Sequence, residues 1–382
     1  MTNPLLQLMQ YGQSYWLDDL TRGMITSGEL QQRVTEQGLR GITSNPSTFH
    51  KAISDSQDYD TQIERLVNEG YDAAQIYEHL AVTDIQAACD ILQPVHTDSD
   101  GTDGFVSLEV SPHLAHDAEA TMHEVRRLSK AVDRPNVLIK IPGTPAGIPA
   151  IEAMLYEGIN VNITLLFAIK DYEAVAHAYI RALERRVAEH LPVRNIASVA
   201  SFFLSRIDVL VDELLGHRLP SSGRKRKGKG PRADQLLGQA AIANAKLAYQ
   251  SFKHIFAGDR WQALTAKGAR MQRPLWASTS TKNPDYRDVR YIEPLIGPHT
   301  VTTMPADTIA AFADHGVVEP TVEANLNEAQ QSLRDLESVG INLDYVTQRL
   351  QDEGVQKFID PYDALMDALA SKCRAPQFAH RH

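Results

Sequence analysis

Lys140 is the residue in this chain best placed for covalent chemistry. It stands in the run Asn136-Val137-Leu138-Ile139-Lys140-Ile141-Pro142, with apolar neighbours on both sides and a turn directly after it. A lysine in such a place is either one half of an ion pair or a desolvated amine. Burial disfavours the ammonium form and lowers its pKa. A neutral amine can attack a carbonyl carbon and form a Schiff base. Spacing alone leaves both readings open. In Phe105-Val106-Ser107-Leu108-Glu109-Val110 a carboxylate shares one face with Ser107. A buried glutamate needs a partner, and Lys140 is a candidate. Alternatively Glu109 moves protons as a general acid or base. Trp16-Leu17-Asp18-Asp19-Leu20 closes an apolar run with two carboxylates, either of which could instead cap a helix.

A second group of residues suits binding. In Ile159-Asn160-Val161-Asn162-Ile163-Thr164-Leu165 the side chains alternate between two faces. Ile159, Val161, Ile163 and Leu165 form the apolar face, and Asn160, Asn162 and Thr164 the polar one. Buried amides without partners cost about 1–3 kcal/mol each, so the polar face needs a network or a ligand. Ile42-Thr43-Ser44-Asn45-Pro46-Ser47 offers hydroxyls and an amide, or a plain turn in which Ser47 caps a helix. Ser201 to Arg206 offers a hydroxyl and a guanidinium at a helix start, which suits an anion. Trp276 to Asn283 adds hydroxyls and Lys282. His113-x-x-His116 lacks a third metal ligand and reads as a surface helix start. No GxxxxGK[ST] loop and no strand-linked GxGxxG occurs.

The elements that must position these residues alternate along the chain. Short β-like runs fall at Tyr15–Asp18, Gly41–Asn45, Phe105–Val110, Asn136–Ile141, Ile159–Phe167, Asn195–Ser201, Pro274–Ser280 and His299–Met304. Helical patterns such as Ala146–Tyr156 and Asp171–His190 lie between them. Repeated strand–helix units of this number predict an α/β fold, a (β/α)8 TIM-type barrel. Its active site belongs at the C-terminal ends of the strands. The expected organisation is one domain over 1–382, with a barrel core at about 14–305. Residues 46–104 are long enough for several helices. A helical C-terminal extension is expected at about 306–372, through Thr321–Val339 and Asn342–Ala370, packed on the barrel. A flexible loop at about 221–233 carries six basic residues between Ser221 and Arg232.

Composition narrows the function classes. With 43% hydrophobic and 23% charged residues the chain is globular, not disordered. A net charge of −10 argues against a nucleic-acid-binding surface. The two cysteines, Cys89 and Cys373, cannot build a disulfide framework or a cysteine zinc cage. They suit a reducing cytosol, and no leader or membrane-spanning run is evident, so a cytoplasmic location is expected.

Six of these motifs, in this order, resemble the transaldolase family: Trp16-Leu17-Asp18-Asp19, Thr43-Ser44-Asn45-Pro46-Ser47, Val106 to Val110, Leu138 to Pro142, Gly158 to Phe167, and Ser201 to Arg206. The resemblance spans about residues 3–372 and is strongest to the longer bacterial branch with a helical C-terminal extension. It implies a Schiff-base transferase of the non-oxidative pentose phosphate pathway, with no metal and no organic cofactor. A dihydroxyacetone unit would pass from fructose 6-phosphate or sedoheptulose 7-phosphate to erythrose 4-phosphate or glyceraldehyde 3-phosphate. By resemblance Lys140 is the Schiff-base lysine and Asp18 the acid/base at the C4 hydroxyl. Glu109 and Thr164 hold the catalytic water. Asn45 and Asn162, with Thr43 nearby, bind donor hydroxyls. Ser201 and Arg206 bind phosphate, and Lys282 stands where many relatives carry a second phosphate-binding arginine. Phe203 is a candidate for apolar shielding of the enamine. Ser44 replaces a common threonine, and the basic loop is not a family feature. The expected partners are sugar phosphates, with no membrane and no nucleic acid, and a homo-oligomer is left open. The alternatives are a fructose-6-phosphate aldolase, a non-catalytic sugar-phosphate-binding barrel, and a polyanion binder acting through the basic loop.

Overall fold

The computed structural model describes residues 3–217 and 233–374. The basic loop, up to Arg232, lies outside the described residues, as does the tail from Ala379. Eight parallel strands close a barrel in chain order. They are β1 (Gln13–Leu17), β2 (Gly41–Thr43), β3 (Phe105–Glu109), β4 (Val137–Pro142), β5 (Val161–Leu166), β6 (Ser198–Phe203), β7 (Arg273–Ala277) and β8 (Thr300–Met304). Closure is made by β1 on β8, from Gln13 opposite Thr300 to Leu17 opposite Met304. Every strand residue except Arg273 is buried. The strands are covered on both sides, with polar residues such as Ser107, Asn162 and Ser201 buried among the apolar ones. The (β/α)8 expectation holds, with the helical C-terminal extension in place.

Several boundaries differ from the sequence expectation. β2 stops at Thr43, because Asn45 turns out of the sheet to cap the next helix, Pro46–Asp55. Asn45, not Ser47, is that cap. β6 begins three residues late, at Ser198, and runs on through Phe202 and Phe203. β7 ends at Ala277, before the hydroxyl-rich segment. The stretch 46–104 holds three helices, Pro46–Asp55, Asp60–Asn68 and Ala73–Asp98. After β8 come helices at Ala306–His315, Leu326–Ser338 and Leu343–Cys373.

β5 departs from plain alternation at its upper end. The register slips between Ile163 and Leu166, and Leu165 has a φ of 61°. Left-handed backbone at a leucine costs about 1–2 kcal/mol, so the surroundings must hold it there. The C-terminal helix does so. Gln351 Nε2 donates to the Leu165 carbonyl at 3.4 Å and to the Gly143 carbonyl at 3.3 Å. A Cβ on Gly354 would stand 3.0 Å from Leu165 Cδ2, so glycine lets this helix press onto the strand end.

That helix starts where Asn342 accepts from the Tyr345 amide. It packs on the Pro46–Asp55 and Ala73–Asp98 helices, on the Ser205–Gly216 helix and on β5. These elements follow or precede strands on different sides of the barrel, so the helix lies across its C-terminal end. Further along, Asp363 pairs with His113 at 2.7 Å, and Lys372 pairs with Asp60. The extension is therefore tied down along its length.

The Ser205–Gly216 helix carries Arg206 to the same end of the barrel. Its anchor is Asp208, which accepts from the Ala241 amide at 2.8 Å and from the Tyr291 hydroxyl at 2.9 Å. Burial pushes the Asp208 carboxyl up from 3.8 to about 6, against the pull of those two hydrogen bonds. The folded state thus keeps a proton that the unfolded chain has lost. The stability this proton confers is complete below the ordinary carboxylate value and is lost as pH rises through about 6. Urea unfolding across this pH range is expected to show the parent losing stability relative to Asp208→Asn. Parallel curves for the two proteins would contradict the assignment.

Candidate active site

Lys140 and Glu109 stand opposite each other in the β3–β4 register. Lys140 Nζ donates to Glu109 Oε2 at 3.0 Å and to the Ser44 carbonyl at 2.9 Å. Both side chains are almost wholly buried, at 7% and 4% exposure. The lysine is therefore an ion-pair partner held inside the barrel. Burial raises the Glu109 carboxyl above its ordinary value, and the neighbouring Lys140 ammonium pulls it back. The Asp18 charge adds to the rise and the Arg206 charge opposes it. The carboxyl thus has an enhanced hold on a proton beside the amine. Glu109 Oε1 is buried without a hydrogen-bond partner, and so is Thr164 Oγ1 on β5. Two such orphaned oxygens on β3 and β5, the strands that flank β4, suit a small polar ligand.

The rest of the lumen is a hydrogen-bonded belt. Asn162 Nδ2 donates to Ser107 Oγ at 3.0 Å, and Ser201 Oγ donates to Asn162 Oδ1 at 2.7 Å. Ser44 Oγ donates to the Ser107 carbonyl at 2.7 Å. This joins β3, β5 and β6 to the end of β2, and fixes the Asn162 amide. Asn160 does not belong to the belt. It precedes β5, donates to the Pro135 carbonyl and accepts from the Ala197 amide. The polar face of β5 therefore holds Asn162 and Thr164 only, since the strand begins one residue after Asn160.

Asp18 follows β1, with its amide bonded to the Met304 carbonyl. Thr43 Oγ1 donates to Asp18 Oδ1 at 2.9 Å and lies 2.8 Å from Thr303 Oγ1. Asp19 is a different case, its carboxyl raised by burial and lowered by the Leu20 amide. Asn45 Oδ1 accepts from the Thr48 amide at 3.0 Å and from the Ser47 and Thr48 hydroxyls. Its side-chain carbonyl is thus used for capping.

Arg206 completes the charged set. Its Nη1 is buried and unpartnered, and burial lowers its proton affinity against the attraction of Asp18 and Glu109. Its guanidinium lies 5.3 Å from the Phe203 ring centroid and 5.9 Å from that of Phe358. Phe203 itself packs on Phe167, ring centroids 5.3 Å apart. Lys282 is exposed on the loop after β7 and donates to Ser280 at 2.8 Å. Like Asn45, whose side chain bonds to Ser47 and Thr48, and Thr164, whose hydroxyl has no partner, it makes no side-chain hydrogen bond to another member of the candidate set.

Two features were missed in the sequence. The Ser44 backbone carbonyl receives Lys140, and a backbone acceptor leaves no mark on residue type. Phe358 on the C-terminal helix lies with its ring centroid 5.6 Å from Lys140 Nζ. In sequence it is only one more apolar residue in the stripe of Val355, Leu365 and Leu369.

A cavity of about 610 Å³ opens at the other end of the barrel, lined by Gln13, Ser14, Asp103 and Arg273 among others. It contains none of the candidate set. Its Arg273 is bonded to Ser14 Oγ and to the Thr300 carbonyl, which gives it a structural role at the barrel floor. Among the described residues no group of three or more His, Cys, Asp and Glu could hold a metal ion. No helix among them is long and apolar enough to cross a membrane.

Removing one half of a buried ion pair costs about 3–5 kcal/mol because the other charge is left uncompensated. Lys140→Met is therefore expected to lose stability on this scale at neutral pH. Glu109 then has no ammonium to counter its burial. Its carboxyl is held above the ordinary 4.5, so stability linked to its proton is present at low pH and lost as pH rises. The deficit of Lys140→Met is expected to shrink on acidification, and Glu109→Gln in the same background to restore part of it. Thermal unfolding at acid and neutral pH checks this, and an equal deficit at both would count against it.

Comparison with known proteins follows the same pattern as the geometry. Residues 15–369 match the family model described as Transaldolase/Fructose-6-phosphate aldolase. A protein named Transaldolase 2 from Nostoc sp. is 50% identical over 374 residues, covering 97% of this chain and 98% of the relative. A transaldolase from Trichodesmium erythraeum is 47% identical over 377 residues, covering 98% of both chains. A transaldolase from Mycobacterium bovis is 46% identical over 368 residues, covering 95% of this chain and 96% of the relative. The match runs over nearly the whole chain, and the chain belongs to the transaldolase/fructose-6-phosphate aldolase family as one of its enzymes.

Proposed function

We propose that this enzyme moves a dihydroxyacetone unit from fructose 6-phosphate or sedoheptulose 7-phosphate to an aldose phosphate, through a Schiff base on Lys140. The supporting observation is the Lys140 amine itself, held in a buried lumen between Glu109 Oε2 and the Ser44 carbonyl. Attack on a ketose carbonyl requires that the ammonium lose a proton. Glu109, at 3.0 Å, is the base at hand, and burial gives it the proton affinity to accept. The amine then adds to the carbonyl to give a carbinolamine, whose hydroxyl leaves as water beside the free oxygens of Glu109 and Thr164 to give the iminium. The iminium draws electrons from the C3–C4 bond as Asp18 takes the proton of the C4 hydroxyl. The aldose phosphate leaves, and the enamine remains on Lys140. Attack of the enamine carbon on the acceptor aldehyde forms the new bond, with Asp18 returning its proton. Hydrolysis of the product iminium frees the lysine.

Binding roles follow the same geometry. Asn162 is oriented by Ser107 and Ser201 and faces the donor hydroxyls with Asn45 and Thr43. Arg206, with a buried free nitrogen, takes the phosphate. Ser201 belongs to the same end of the site, though its proton goes to Asn162. Lys282 adds charge from the loop after β7, without the fork that an arginine offers. The reaction needs neither a metal nor an organic cofactor, because the iminium is the electron sink. The reading places the enzyme in the non-oxidative pentose phosphate pathway.

Chromatographic separation of sugar phosphates tests this. Fructose 6-phosphate and erythrose 4-phosphate are expected to give sedoheptulose 7-phosphate and glyceraldehyde 3-phosphate in equal amounts. Lys140→Met is expected to give neither. Loss of a general acid/base costs about 10²–10⁴-fold, so Asp18→Asn is expected to turn over slower by that factor. Stoichiometric free dihydroxyacetone without acceptor would identify an aldolase instead, and binding without turnover a non-catalytic barrel.

A further inference from the structure

We propose that Phe358, delivered by the C-terminal helix, decides whether the enamine on Lys140 is passed to an aldose or lost to water. The inference rests on the transfer chemistry assigned to Lys140 and adds a specificity-determining residue from outside the barrel. The Phe358 ring centroid lies 5.6 Å from Lys140 Nζ and 5.9 Å from the Arg206 guanidinium carbon. A sugar joined to Lys140 at its carbonyl carbon, with its phosphate on Arg206, has its carbon chain alongside this ring. Phe358 itself is 8% exposed, so the ring is almost wholly withdrawn from solvent. Phe203, the other ring on Arg206, is turned toward Phe167 on the β5 side.

The ring is held from both directions along its helix. Gln351, two turns before it, is bonded to the Gly143 and Leu165 carbonyls. Asp363, after it, is paired with His113, and Tyr362 stacks edge-on against His113 and Tyr77. The left-handed backbone at Leu165 and the small Gly354 allow the approach. A helix pinned in this way, with an aromatic ring turned onto the two cations of the site, does more than cover apolar surface.

Water competes with the acceptor at one atom. If the nucleophilic enamine carbon takes a proton, the enamine becomes the iminium of dihydroxyacetone. Water then adds to the iminium carbon, the carbon–nitrogen bond breaks, and dihydroxyacetone leaves a free Lys140 amine. The net reaction is cleavage of fructose 6-phosphate to glyceraldehyde 3-phosphate and dihydroxyacetone. Exclusion of water suppresses this loss, and an apolar ring over the amine excludes water where it would act.

The test is a product ratio, which a merely structural role would leave alone. The parent, Phe358→Ala, Phe358→Leu and Phe358→Gln are given fructose 6-phosphate and erythrose 4-phosphate. Free dihydroxyacetone is then measured per sedoheptulose 7-phosphate formed. Phe358→Ala is expected to raise this ratio about tenfold or more, and Phe358→Leu to stay near the parent. Should the alanine variant fail to fold, glutamine against leucine carries the same test. Glutamine has comparable size and holds water, so its ratio is expected to rise. Unchanged ratios in the alanine and glutamine variants, with the parent transferring normally, overturn the role of Phe358. A parent that forms no sedoheptulose 7-phosphate overturns the transfer reading, and this inference with it.

Discussion

A lysine and a glutamate face each other inside the barrel, both shut away from water. Bringing two charges there costs several kcal/mol per ion, and their pairing offsets this only if the geometry is fixed. Much of the surrounding structure serves that end. Parallel register sets Glu109 beside Lys140. The turn after β2 brings in the Ser44 carbonyl, and the Ser44 hydroxyl ties that turn to β3. Such a pair is a poor device for stability. It suits the proposed chemistry better: the amine has a carboxylate within reach and a dry setting.

The upper wall of the site comes from far along the chain. β5 supplies Asn162 and Thr164, then leaves regular geometry at Leu165. The break would be costly in isolation. Here it presents a carbonyl to Gln351 and an apolar surface to Gly354. Barrel and extension are therefore mutually dependent. The strand end is stabilised by the helix, and the helix is placed by the strand end. A ring that reaches the centre of the site follows from that docking.

The barrel was legible because its strands form short β-like runs between helical stretches, and a charged residue inside one, such as Lys140 or Glu109, stands out. Resemblance then attached roles that no spacing could provide. Strand ends were less legible. Asn45 caps a helix and leaves β2 early, and Asn160 lies before β5, where its amide serves the backbone. Simple alternation cannot foresee a left-handed leucine, because nothing in its residue type favours that conformation. The Ser44 carbonyl was invisible in residue type, and Phe358 was hidden in an ordinary amphipathic stripe. Both reach Lys140 only through tertiary contact.

The claim on which the rest depends is that Lys140 is the nucleophile. It is tested most directly by mixing the protein with fructose 6-phosphate and borohydride and measuring the intact mass. The expected result is a stable adduct of one reduced dihydroxyacetone unit, mapped by peptide digestion to Lys140 and absent from Lys140→Met. A folded parent that acquires no adduct, or one that carries it on another residue, would contradict the claim.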